Sequence, residues 1–214
     1  MIQIKNFIFS PFQENTLVLF DESKECVIID PGCYEKEEEE SLSQFIEDQE
    51  LKVVMLLNTH CHIDHVLGNA FVKRKYGVDL VIHKIDEATL DSVQVYAGSY
   101  GFAKYQPSTA NRFVDEGDLI KFGNSKLEIL FVPGHAPGHI AFVNKEQNIC
   151  IGGDVLFNGS IGRTDLPGGD FNTLIDSIHN KIFPLGKDMV VYPGHGPTTT
   201  VGKEMKSNPF CAIR

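Results

Sequence analysis

Four side chains that bind divalent metals fall within six residues, His60-Cys61-His62-Ile63-Asp64-His65. Imidazole nitrogen and carboxylate oxygen are ligands of zinc and of similar cations. A segment this short wraps all four round one ion only with difficulty, and two pairs facing two neighbouring ions is the easier arrangement. His60 and His62 point together if the loop is extended, because residues i and i+2 share a side. Asp64 and His65 then fall where the next helix begins. Cys61, between two ligands, points away and reads as a packing residue.

Such a centre needs further ligands, and three other loops offer them. His135 follows LEILFVPG, Asp154 follows NICIGG and His195 follows DMVVYPG. Each loop comes after an apolar, strand-like run and carries glycine beside the ligand, which lets the backbone turn sharply and approach an ion. Any one of the three alone would read as a turn residue. Four such loops, all at strand ends, can converge on one edge of a β-structure.

The elements that must carry these loops read as follows. Residues 2–9, 15–20 and 26–30 are strands, the third ended by Pro31-Gly32. Residues 36–48 form a helix, 52–57 a buried strand, 66–75 a helix closed by Gly77, 79–82 a strand and 84–91 a short helix. The segment 92–111, rich in Tyr, Gly and Ser, reads as an irregular surface connection. Strands follow at 112–114, 119–122, 126–132, 139–143 and 148–152, then a Gly-rich loop from Gly152 to Gly169, a helix at 171–180, a strand at 188–192 and a tail. Strands in runs with helices interspersed predict an α+β chain of two sheets flanked by helices.

At 214 residues the chain suits one domain, 1–214. Its 29 acidic against 19 basic side chains give a formal charge of −10, so no general attraction for nucleic acid or for anionic membranes is expected. The run Glu37–Glu40 reads as a solvated helix face, because Leu42, Phe45 and Ile46 follow at helical spacing. No segment approaches the roughly 18 apolar residues of a membrane span, and the N-terminus lacks the features of a signal peptide. The five cysteines form no CxxC pair, which argues against a disulfide framework and fits a reducing cytoplasm.

The motifs THCHIDH at 59–65, PGHAPGH at 133–139, GGDVLF at 152–157 and PGHGP at 193–197 resemble the metallo-β-lactamase superfamily in its glyoxalase II-like branch. GSIGRTDLPGGD at 159–170 and TVGKEMKSNPF at 200–210 are similar to a short bacterial subgroup of that branch. The resemblance implies a four-layer αββα sandwich with the metal site at one edge of the two sheets. It puts His60, His62 and His135 on one metal and Asp64, His65 and His195 on a second. Asp154 bridges them together with a water or hydroxide, and Asp64 and Asp154 are the carboxylates at the reaction. The implied cofactors are two divalent ions, zinc first, with iron or manganese also suited to the ligands. Two such ions bring four positive charges against three from Asp64, Asp154 and one hydroxide, so the centre attracts an anionic or carbonyl-bearing substrate despite the acidic chain.

The implied reaction is hydrolysis of a small-molecule thioester such as S-lactoylglutathione, whose thiolate leaving group suits a site without a dedicated general acid. The chain ends at Arg214, 19 residues beyond His195, and so has no counterpart of the glutathione-binding helical region of longer glyoxalase II enzymes. Another thioester or an ester is therefore also expected. Rival readings are a mononuclear iron persulfide dioxygenase, which shares the GRTD motif, and a lactonase or phosphodiesterase on the same fold. From another class comes a metal-binding redox protein. Arg163 either holds a substrate carboxylate by paired hydrogen bonds or braces its loop on Asp165. His139 is either a support for a ligand or a turn residue. His83 and His179 fall in expected helices, and Tyr96, Tyr100 and Tyr105 in loop packing. The oligomeric state is not legible.

Overall fold

The structure is a computed structural model that describes residues 1–213. Its contacts divide the chain into two compact units, Met1–Val114 with Lys121–Lys126, and Asp115–Ile120 with the chain from Leu127 onward.

The first unit runs β1 (Gln3–Phe9), β2 (Glu14–Phe20), β3 (Glu25–Ile29), α1 (Lys36–Asp48), β4 (Lys52–Leu57), α2 (Ile63–Val66), α3 (Asn69–Tyr76), β5 (Leu80–His83), α4 (Glu87–Tyr96) and β6 (Arg112–Val114). The six strands form one sheet in chain order. Tight connections make β1, β2 and β3 antiparallel neighbours. The later strands pair in parallel, which demands long crossovers, and α1 to α4 supply them. Val18, Phe20, Cys26 and Ile28 face these helices and pack with Leu42, Ile46, Val66, Val72, Leu90 and Val93. Their alternates Leu17, Leu19, Val27 and Ile29 are buried as well, so β2 from Leu17 and β3 from Cys26 are apolar on both faces.

Two expectations change here. The acidic run is not merely a solvated face, because the Glu38 carboxylate accepts from the amides of Tyr34 at 2.8 Å, Glu35 at 3.1 Å and Ser10 at 2.6 Å. It closes the first turn of α1 and ties in the β1–β2 loop. Residues 92–96 continue α4, and a single 3-10 turn, Ala97–Tyr100, follows. Leu90, Val93 and Ala97 form a buried stripe at helical spacing that the polar composition of the segment concealed.

The second unit contains most of a sheet whose strands are β7 (Leu119–Phe122), β8 (Ser125–Phe131), β9 (Ile140–Asn144), β10 (Ile149–Gly153), β13 (Val190–Pro193) and β14 (Thr199–Thr200), in the order β14-β13-β10-β9-β8-β7. A small hairpin of β11 (Leu156–Phe157) and β12 (Ser160–Ile161) follows β10. Helices α5 (Phe171–Ser177) and α6 (Val201–Ser207) complete it, and a π turn, Ile178–Ile182, extends α5. Leu174, Ile178 and Val201 pack on Val143, Cys150 and Val191 of the sheet. β14 and α6 lie in what reads from sequence as a tail.

The tip of the β7–β8 hairpin belongs to the first unit, where the Asp21 carboxylate accepts from the Ser23 amide at 2.9 Å, the Ser23 hydroxyl at 2.5 Å, the Asn124 amide at 2.8 Å and the Ser125 hydroxyl at 2.7 Å. Burial alone would raise the pKa of this carboxyl, but the hydrogen bonds outweigh it and hold it below the usual range. All five cysteines are unpaired and buried. Burial pushes the Cys26, Cys150 and Cys211 thiols up to about 12, and Cys33 and Cys61 well above their ordinary value. Among the described residues no helix is long and apolar enough to cross a membrane.

Candidate metal centre

In the first unit, the apolar strand β4 delivers Asn58, Thr59 and His60 into a fully buried loop, and α2 starts at Ile63, three residues earlier than the sequence suggests. Asp64 and His65 therefore sit in its first turn, with His62 at its N-cap. The imidazoles crowd together, with ring centroids 4.7 Å apart for His60 and His62 and 4.1 Å for His60 and His65. The Asp64 carboxylate lies 3.8 Å from His65 Nε2.

What aims these rings is Asp30, at the end of β3. Its carboxylate accepts from the Thr59 amide at 2.7 Å and the Thr59 hydroxyl at 2.6 Å, and meets His65 Nδ1 at 3.1 Å. Since Thr59 spends its only proton on Asp30, its oxygen accepts from His60 Nδ1 at 3.1 Å. Both rings thus carry a proton on Nδ1, which leaves Nε2 as the nitrogen suited to ligate a metal. Donor atoms of Asp30, His60 and His65 lie within 4.8 Å of one another. With both carboxylate oxygens engaged by Thr59 and His65, we read Asp30 as the support of these ligands and not as a ligand. Asp30 holds a left-handed backbone, φ 50°, which aspartate tolerates better than most residues. Two positions on, a Cβ at Gly32 would stand 2.2 Å from Glu14 Oε2 and 2.7 Å from the Asp64 carbonyl, so only glycine passes there.

In the second unit, Asp154 Oδ2 faces His135 Nε2 at 3.5 Å and His195 Nε2 at 3.6 Å. These separations are long for a hydrogen bond. They match two ligands of one tetrahedral ion, which at about 2.1 Å from the metal stand about 3.4 Å from each other. His135 Nδ1 donates to the Arg163 carbonyl at 2.8 Å, which makes Nε2 the nitrogen suited to a metal here too. His139 is buried and its Nε2 accepts from the Asp154 amide at 3.0 Å, which makes it a support of a ligand. A Cβ at Gly162 would meet the Asp154 carbonyl oxygen at 1.9 Å, so the chain returning from β12 passes hard against that residue. The donor set is imidazole and carboxylate, with the tautomers of His60, His65 and His135 set by their supports, and it fits divalent metal.

The remaining expectations divide. Arg163 donates to Asp165 through Nε at 2.7 Å and Nη2 at 2.6 Å, the bracing arrangement, and this pairing holds the Asp165 carboxyl down at about 2. Cys61 is buried packing, and its amide donates to the Asp86 carboxylate. His83 is not helical. It is the buried last residue of β5, and its Nδ1 accepts from the Ile85 amide at 3.3 Å. His179, on the π turn, donates from Nε2 to the Cys211 carbonyl at 2.8 Å. Tyr96 and Tyr100 pack on each other, ring centroids 5.6 Å apart. Asp30, Thr59 and Asp86 went unread. Asp30 carried a usable signal, since it too is an acidic residue after an apolar strand and before Pro-Gly.

A family model described as the metallo-beta-lactamase superfamily matches residues 10–195. The hydroxyacylglutathione hydrolase GloC of Haemophilus influenzae is 41% identical over 201 residues, 93% of this chain and 93% of the relative. The mitochondrial persulfide dioxygenase ETHE1 of Mus musculus is 33% identical over 193 residues, 88% of this chain and 67% of the relative. A crystal structure of TTHA1623 in a di-iron-bound form superposes with a TM-score of 0.86 at 34% identity, over 96% of this chain and 99% of that one.

Proposed function

The chain belongs to the metallo-β-lactamase superfamily, has its fold and is one of its metallo-hydrolases, and on that footing we propose that it hydrolyses a thioester such as S-lactoylglutathione. In this reading His60, His62 and His135 hold one divalent ion, Asp64, His65 and His195 hold a second, and Asp154 bridges both. Zinc suits the set, and so does iron, which the di-iron form of TTHA1623 contains. Bound there, two such ions supply hydroxide at neutral pH and polarise a carbonyl.

The observation that carries the reading is the preset of the ligands. Asp30 fixes His65 and, through Thr59, His60. The Arg163 carbonyl fixes His135, and His139 fixes the Asp154 backbone. Supports of this kind raise ligand basicity and hold ring orientation. The carboxylates Asp64 and Asp154 offset part of the cationic charge and leave the centre attractive to a carbonyl-bearing anion. A thiolate departs without prior protonation, so the reaction asks for no separate acid. The likeness to GloC supports a hydroxyacyl thioester. The likeness to ETHE1 supports, as a second reading, oxidation of a persulfide at a single iron.

One experiment separates them. Purified protein is assayed for S-lactoylglutathione hydrolysis and for oxygen uptake on glutathione persulfide, with metal content measured on the same sample. Thioester turnover with about two metals per chain is the expected result. Oxygen uptake with one iron and no thioester turnover would replace the hydrolase reading with the dioxygenase.

A further inference from the structure

The C-terminal helix α6 carries a carboxylate that the metal site does not use. Glu204 is fully buried and is met by three neutral donors. The Gly159 amide reaches Oε2 at 3.0 Å, the Asn208 side-chain amide reaches Oε2 at 2.8 Å, and the Thr199 hydroxyl reaches Oε1 at 2.5 Å. Removing a carboxylate from water against neutral donors alone is costly, and a solvent-facing helix residue would have served α6 as well.

The donors explain the placement. Gly159 lies in the β11–β12 turn, five residues after Asp154, and Thr199 opens β14, four residues after His195. One carboxylate thus ties the segment leaving Asp154 to the segment leaving His195. Neighbouring contacts reinforce the tie. Asn208 donates to the Ser160 carbonyl at 3.0 Å, Asn158 donates to the Thr198 carbonyl at 3.1 Å, and Lys203 donates to Asn158. The hairpin so held sets Phe157 edge-on to the His195 ring, centroids 6.3 Å apart at 89°.

We propose that Glu204 is a positioning residue for the metal centre: its carboxylate clamps the β11–β12 turn to β14 and thereby sets the approach of His195 to Asp154. The clamp acts on the ion that His195 and Asp154 share, and much less on the ion held by His60, His62 and His135. This inference rests on the metal assignment proposed above. The residues of the motif TVGKEMKSNPF then have a task at the site without touching metal or substrate.

The test is titration of metal-free protein with cobalt(II) alone, read by its visible absorption, for the parent, Glu204→Gln, Thr199→Val and Asp21→Asn. Glu204→Gln keeps the shape but turns one acceptor into a donor. Thr199→Val removes a single arm of the clamp and serves where the first variant folds poorly. Asp21→Asn loosens a hairpin unconnected with the clamp and controls for a general loss of stability. The expected result is two ions in the parent and about tenfold weaker binding of the second ion in both clamp variants, with the first ion and the Asp21→Asn variant unchanged. Clamp variants that fold and bind both ions as the parent does would overturn the clamp while leaving the metal centre standing. A parent that binds no cobalt would overturn the metal assignment itself, and the clamp with it.

Discussion

An oxygen of Asp154 faces Nε2 of His135 and Nε2 of His195 at 3.5 and 3.6 Å, separations that suit a cation between an oxygen and a ring nitrogen better than a direct hydrogen bond. Asp154→Asn replaces one oxygen by an amide that brings no charge. It should lower metal content and thioester hydrolysis together, the latter by about a hundredfold or more, since even outer partners of ligands cost 10–100-fold. Full activity with full metal content, by elemental analysis and assay on one preparation, would remove Asp154 from the bridge. The candidate ligands stood out because histidine or aspartate beside glycine after an apolar strand recurs three times, at His135, Asp154 and His195, alongside a segment with four such side chains in six residues. Their supports were not. Thr59 and His65 stand 29 and 35 residues from Asp30, and His139 stands 15 from Asp154. Contacts at that separation exist only once the strands have paired. Glu204 was hidden for the same reason, since a glutamate in a short polar helix looks solvated until its donors are in place.

Among the elements, the tip of the β7–β8 hairpin is held chiefly by the Asp21 carboxylate, with Glu25 accepting from the Gly123 amide at 2.9 Å beside it. Asp21→Asn should cost about 2 kcal/mol, because the NH2 that replaces one carboxylate oxygen faces two donors and cannot accept from them. The folded pKa of Asp21 lies below its unfolded value of about 3.9. Its stabilisation is therefore complete above about pH 4 and is lost as the pH falls through the folded pKa. Thermal melts of parent and variant should differ most near neutral pH and converge in acid. A gap that widens in acid would contradict the assignment. Most strands were legible from alternation or from apolar runs bounded by turn residues. β14 and α6 were not, because Thr199–Thr200 is too short to show a period and the apolar residues of α6 find their partners elsewhere in the second unit.

Over the whole molecule the chain crosses between its two units three times, and β7 and β8 run through the boundary. Such a chain is proposed to behave as one cooperative domain with a single unfolding transition. Stripping metal with a chelator should move that transition down by about 10 °C. An ion at about a thousand times its Kd stabilises by about 4 kcal/mol, and each kcal/mol shifts Tm by about 2–4 °C at this length. Circular dichroism before and after chelation gives the answer, and an unmoved transition with metal demonstrably lost would argue against a metal that stabilises the folded chain. The buried cysteines add a property of a different kind. Cys26, Cys33 and Cys61 lie in one unit and Cys150 and Cys211 in the other, and none offers a thiolate to an alkylating reagent while the fold is closed. Their modification can proceed only as fast as the surrounding chain breathes. The protein thus carries its own set of native stopwatches, one for each part of its interior, and mass-spectrometric reading of which thiol is capped first would map the order in which those parts open.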